Sequence, residues 1–303
     1  MERFYVSGCR DYSPDVQPAC LALAKVGSFA CSQMLCTLLI ICSLLHKYIF
    51  TASRLSRIYG LKYSTLPPPE KRHLRLVHVG IVMKFVAVPT MALPIYLVNF
   101  GGYRWSDNIA PYITLLDLTA FSGCSLGASA LFDLSNDDSI RPLYVIHHLT
   151  MVFAIQGTGA LIMSLPTNNE RRILEIFQAF KAGLTWVLFS SVGSTVSRVT
   201  YLFRKLFAWP PETLCKLFLI NFLTFASATI LEAIIIVYFL GTRWDQLPTE
   251  VVICMLLFQT LFTVTKSKTV NRLFMVYKSQ ETEVRKQLET PTWGKAVNGR
   301  YEK

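Results

Sequence analysis

Long apolar stretches separated by short polar ones run along the chain, and seven of them approach the roughly 20 residues that cross ~30 Å of hydrocarbon. They cover residues 27–46, 77–99, 111–132, 143–165, 174–193, 214–240 and 249–265. Inside lipid only helices and closed barrels satisfy every backbone group, and these segments are too long for barrel strands, so the pattern predicts an all-α, polytopic bundle of about seven transmembrane helices. Pro89 and Pro94 fall within the second segment, where neighbouring helices can satisfy the groups a proline frees. The stretch before residue 27 carries scattered charges and two prolines instead of a basic and then apolar leader, so the first span is expected to act as an uncleaved anchor.

Composition sharpens this picture. The chain has 303 residues, 52% hydrophobic and 16% charged, with mean hydropathy +0.40, which excludes an ordinary soluble domain of this size. The net charge of +11 does not point to nucleic acid, because the basic residues lie between spans instead of forming a basic domain. Counted outside the spans, 20 lysines and arginines fall on one face of the seven-span arrangement and seven on the other. Positive residues stay cytosolic, so the N-terminus is expected to be lumenal or external and the C-terminus cytosolic. The expected organisation is an N-terminal part over residues 1–69, a six-helix domain over 70–278 and a charged tail over 279–303. Pro67, Pro68 and Pro69 favour polyproline geometry, which would hold the first span apart from the other six. The segment after Ser267 is expected to start as a short interfacial helix, with Leu273, Phe274, Val276 and Tyr277 against lipid.

Of the eight cysteines, Cys31, Cys36, Cys42, Cys124 and Cys254 fall in apolar runs and act as small hydrophobes, leaving Cys9 and Cys20 able to pair. No Cys/His spacing reads as a metal site, and no cofactor is expected. Ionisable groups inside spans are costly, so each one is a candidate functional residue in need of a partner. Depths taken from the span ends sort them into two layers. Asp117, Lys181 and Glu232 share the lumenal side with mixed signs, which predicts a structural clamp of Lys181 with Asp117 or Glu232. His147, His148, Lys84 and Asn221 share the cytosolic side without an intramembrane carboxylate, and Asp133 is among the nearest acids in sequence. These cytosolic residues are candidates for lipid contact. A histidine there can serve as base, nucleophile or metal ligand, or simply hold helices together, although adjacent histidines are poorly placed for a metal.

The stretch "GCSLGASALFDLSNDDSIRPLYVIHHLTMVFAI" resembles the centre of the TLC domain, the membrane module of ceramide synthases, translocation-associated membrane proteins and several lipid-related proteins. Asp133 with Leu134, a short loop, then His147, His148 and Thr150 follow that family's order. "EKRHLRLVHVGIVMKF" is similar to its opening helix and "VTKSKTVNRLFMVYK" to its cytosolic exit. The resemblance implies six helices around a cavity for a lipid chain, preceded here by one extra helix, in the endoplasmic reticulum. It also implies membrane lipids as partners, a sphingolipid or an acyl-CoA among them. In ceramide synthases the paired histidines belong to the site that N-acylates a sphingoid base, and a second histidine with an acidic pair follows. Here "LPTNNERRILEIFQAFKAGLTW" stands in that place, and no histidine follows His148. The expectation is therefore a protein that binds or senses lipid and influences membrane lipid composition. The alternative is an acyl-CoA-dependent acyltransferase with His147, His148 and Asp133 as catalytic residues and acyl-CoA as substrate.

Overall fold

The computed structural model describes residues 12–14, 16–26, 29–137, 142, 144–153, 170–244, 247 and 249–289. It is built of helices. α1 (Gln17–Val26) precedes α2 (Phe29–Leu44), which continues as a π-turn over Leu45–Ile49. The linker forms α3 (Ala52–Tyr59) and α4 (Leu61–Ser64), and α5 follows over Pro68–Phe100. A small hairpin, β1 (Asn108–Ala110) and β2 (Ile113–Thr114), leads into α6 (Leu115–Asn136). α7 (Tyr144–Phe153), α8 (Glu170–Leu206), α9 (Pro211–Arg243) and α10 (Thr249–Glu289) complete the described elements. Among the described residues, five segments are long and apolar enough to cross a membrane: Cys31–Ile49, Pro68–Phe100, Leu115–Asn136, Ile173–Leu206 and Pro211–Arg243. The chain is an all-α integral membrane protein. Of the other two expected spans, 249–265 lies within α10, which is not one of those five, and 143–165 is described only over 144–153.

The first span does not stand apart. Leu38 and Cys42 of α2 pack against Leu76 and Met83 of α5 and Cys124 and Phe132 of α6 in one buried cluster. The prolines do not separate it either. Pro67 takes an extended conformation (φ −64°, ψ 153°), as a residue before proline must, while Pro68 and Pro69 open α5, where a missing N–H costs nothing. The linker is then stitched to the bundle by Arg75, which donates from Nε to the Phe50 carbonyl (2.8 Å) and from Nη2 to the His46 carbonyl (2.9 Å). Those carbonyls end a helix and would otherwise lack partners. Leu55, Tyr63, Leu74 and Leu206 form a satellite core beneath it, and burial pushes the Tyr59 and Tyr63 hydroxyls above the ordinary phenol range.

Between α3 and α4 sits Gly60, at φ +59° and ψ −139°, a conformation that is costly for residues with a Cβ. No atom lies within 4 Å of where its Cβ would be, so Gly60→Ala tests backbone strain alone. The expected cost is about 1–3 kcal/mol. It is read as a lowered thermal midpoint of the purified protein; an unchanged midpoint would mean that this turn adds nothing to stability.

The segment after Ser267 is not a separate interfacial helix. α10 runs unbroken through it to Glu289, because no Gly or Pro intervenes and Lys278–Glu281 and Glu281–Arg285 pairs at helical spacing support it. Glu281 is held below its ordinary carboxylate range by the Lys278 ammonium that donates to it. Cys20 is disulfide-bonded, while Cys31, Cys36, Cys42, Cys124, Cys215 and Cys254 are not in disulfides. Cys9, the expected partner of Cys20, lies outside the described residues.

Candidate functional site: a polar layer inside the bundle

The middle of α8 reads "SSVGSTVSR" over 190–198, and Ser190, Ser194, Ser197 and Arg198 fall within one arc of its surface. Each meets a polar side chain from a different helix. Ser190 Oγ accepts from Lys266 of α10 (2.8 Å), and Ser194 Oγ accepts from Lys84 of α5 (2.6 Å). Ser197 donates to Asn221 Oδ1 of α9 (2.8 Å), and Arg198 donates to Asp133 of α6 in an ion pair. The stripe spans eight residues of rise, about 12 Å of bundle thickness. Small residues let the helices come this close. At Gly193 a Cβ would sit 3.3 Å from that of Ala228.

The sequence-derived cytosolic layer is thus assembled, with members that reading did not include. His148 sits between two partners: Nδ1 is 2.8 Å from the Tyr144 carbonyl and Nε2 is 3.4 Å from Asp133 Oδ2. A carbonyl only accepts, so Nδ1 carries a proton toward Tyr144, and the other nitrogen faces a carboxylate already held by Arg198. His147 points elsewhere. Its ring stands edge-on to Phe262 at 4.7 Å between centroids, and its Nδ1 is buried with no hydrogen-bond partner among the described residues. Farther along α5, His78 receives the Tyr59 hydroxyl at Nε2 (2.9 Å), since its Nδ1 donates to the Leu74 carbonyl (2.7 Å).

Glu232 does not pair with Lys181 or stand in a lumenal layer. It forms a buried ion pair with Lys266, whose ammonium also lies 5.5 Å from the Trp186 ring centroid and 5.6 Å from that of Phe262. Depths measured from the apolar stretches misplace both groups, because α9 and α10 are 33 and 41 residues long and overshoot them. Asp117 closes a capping box at the start of α6, its Oδ2 accepting from the Thr114 backbone N–H (2.9 Å) and hydroxyl (2.6 Å). Lys181 lies 5.9 Å from the Phe177 ring centroid, and the expected clamp is not formed.

Gly80 marks how tightly Arg198 is seated. A Cβ on Gly80 would overlap Nη1 of Arg198, so Gly80→Ala forces the guanidinium away from Asp133. Disturbing a charged hydrogen bond of this kind is expected to cost about 1.5–3 kcal/mol. The check is the thermal midpoint of Gly80→Ala protein, and a midpoint equal to wild type would mean that Arg198 has another equally good seat.

Charge balance decides what the layer can do. Lys84, Arg198 and Lys266 are basic and Asp133 and Glu232 acidic, and all but Arg198 are at most 9% exposed. The two carboxylates are taken by Arg198 and Lys266, which leaves Lys84 with a serine hydroxyl among the described residues. Among the described residues no group of three or more His, Cys, Asp or Glu gathers as a metal set. Two clefts of about 340 and 330 Å³ open at the other end of the bundle, around Arg243 and Lys181, away from the histidines.

No family model, curated protein or solved structure matches the chain.

Proposed function

We propose that this is a membrane protein of the TLC-domain type that binds or senses lipid through its interior polar layer and thereby influences membrane lipid composition. The observation that carries this reading is Lys84, a buried lysine whose partner among the described residues is a serine hydroxyl, in a layer where basic side chains outnumber carboxylates. Polar and ionisable groups kept inside a membrane bundle against such a cost mark substrate or ligand pathways. A lipid that brings an anionic group to Lys84 balances the layer, and its chains can lie along the surrounding apolar side chains. The residues that carry the family resemblance also converge, His148 on Asp133.

Seven spans fit the course of the helices. α5 and α8 run antiparallel, since Glu70 meets Lys205 and Lys84 meets Ser194. α6 and α8 run the same way, with Leu116 near Leu184 and Asp133 at Arg198. Two helices that run the same way need a return crossing between them, the place of the fourth expected span. Although Arg198 and Lys266 are interior residues, removing them from the count leaves the same face the more basic one, and we place the C-terminus in the cytosol and the N-terminus in the lumen. The disulfide at Cys20 fits an oxidising compartment such as that of the endoplasmic reticulum.

Acyl transfer from acyl-CoA is the second reading, favoured by the Nδ1 of His147, which has no hydrogen-bond partner among the described residues. Against it, both nitrogens of His148 are engaged and Asp133 is neutralised by Arg198, so neither is poised as a base. The separating experiment is intact-mass spectrometry of the purified protein after incubation with acyl-CoA, with lipid extracted from the same preparation. Copurified lipid and no adduct are expected; an acyl adduct that disappears in His147→Ala would establish the enzyme instead.

A further inference from the structure

The two clefts at the far end of the bundle lie outside the histidine layer. Lys181 is 13 residues from Ser194 along α8, about 20 Å away. One cleft is lined by Asn99, Trp105, Gln178, Lys181, Thr185 and Arg243 on its polar side. Its apolar wall is formed by Ile235, Tyr238 and Phe239 of α9, beside the exposed Ile234 and Val237. The other cleft shares Gln178, Phe239 and Arg243 with it. Two features show that the first is chemically incomplete. Lys181 makes no ion pair among the described residues, because Glu232 is held by Lys266, Asp117 is built into a helix cap, and Glu175, the carboxylate on the neighbouring cleft, takes Arg171 (2.9 Å). Independently, the indole nitrogen of Trp105 is buried with no hydrogen-bond partner among the described residues, although the residue is only 7% exposed. A cationic side chain lining the cleft and an unused N–H donor buried in another of its lining residues call for an oxyanion, and the adjoining apolar wall calls for something attached to it.

We propose that this cleft is a second binding site, for the phosphate or carboxylate group of an anionic amphiphile, with Lys181 as its charge partner and Trp105 as a donor. Its volume of about 330 Å³ is at the lower end for small-molecule sites, enough for a headgroup and the first part of a chain. The site does not depend on the function assigned to the histidine layer.

The test uses the full chain in detergent with Lys84→Met as background, so that binding at the polar layer is disabled. Native mass spectrometry measures affinity for dioctanoyl phosphatidic acid, for neutral dioctanoylglycerol, and for the first of these in competition with inorganic phosphate. Adding Lys181→Met is expected to weaken phosphatidic acid about tenfold or more, as for loss of a charged hydrogen bond, and to leave dioctanoylglycerol unchanged. Lys181→Arg should stay within about threefold of the background, and Trp105→Phe, which keeps a ring and removes the N–H, should weaken binding about threefold. Competition by millimolar phosphate identifies a free oxyanion as a ligand, and its failure identifies a lipid headgroup; either result supports the site. Unchanged phosphatidic acid affinity in both Lys181→Met and Trp105→Phe, or equal affinity for the charged and neutral lipids, would overturn it.

Discussion

Glu232→Leu is expected to destabilise the protein by about 3–5 kcal/mol, among the largest effects of any single substitution in the bundle. The reason is not the loss of an attraction. Lys266 is 6% exposed, and without Glu232 its charge has a serine hydroxyl and two aromatic rings for company. An uncompensated buried charge is what makes breaking such a pair costly, while replacing both partners with apolar groups is often neutral. The double variant Glu232→Leu, Lys266→Met should therefore return close to wild-type stability. Thermal unfolding of the four proteins of this cycle measures it. If the double variant is as unstable as the two single ones combined, side-chain packing governs this site and the charges do not.

Arg198→Met should cost a similar amount, about 3–5 kcal/mol, by leaving Asp133, among the described residues, with a 3.4 Å contact to His148. Asp133→Asn in the same chain should recover most of it. Gly80→Ala reaches the same ion pair from α5, so its cost should largely vanish once Arg198 is methionine. Residues that act through one shared partner show such non-additivity, whereas independent sites simply add. Additive losses from Gly80→Ala and Arg198→Met would place the effect of the glycine in helix packing alone.

The helical class was legible because apolar periods long enough to span lipid dominate the chain. The link between Asp133 and His148 was legible too, from their order, although His147 turns elsewhere. What stayed hidden were the partners. Arg198 and Lys266 each lie just beyond an apolar stretch, where a basic residue ordinarily marks the membrane surface. No helix breaker follows either one closely, and each helix simply continues, carrying its cation into the interior. A usable signal was present in the serines of "SSVGSTVSR" and in Phe262, Thr265 and Lys266, which share one helical face at spacings of three and four. Lys181 and Glu232 were paired from depths that took each apolar stretch as a whole helix, and the longer real helices give Glu232 a different neighbour. The prolines of the linker carry a similar lesson, since a Pro-rich run can open a helix as readily as it can hold two apart.

The central claim is that the interior layer around Lys84 holds lipid. Its most direct test is the amount of anionic lipid that stays with the full chain through purification, quantified by mass spectrometry for wild type, Lys181→Met and the double variant Lys84→Met, Lys181→Met. The account predicts retained lipid in wild type and in Lys181→Met, and about tenfold less in the double variant than in Lys181→Met, from loss of the charged contact at Lys84. Equal retention in Lys181→Met and the double variant would contradict it and leave the layer as a device that only holds helices together.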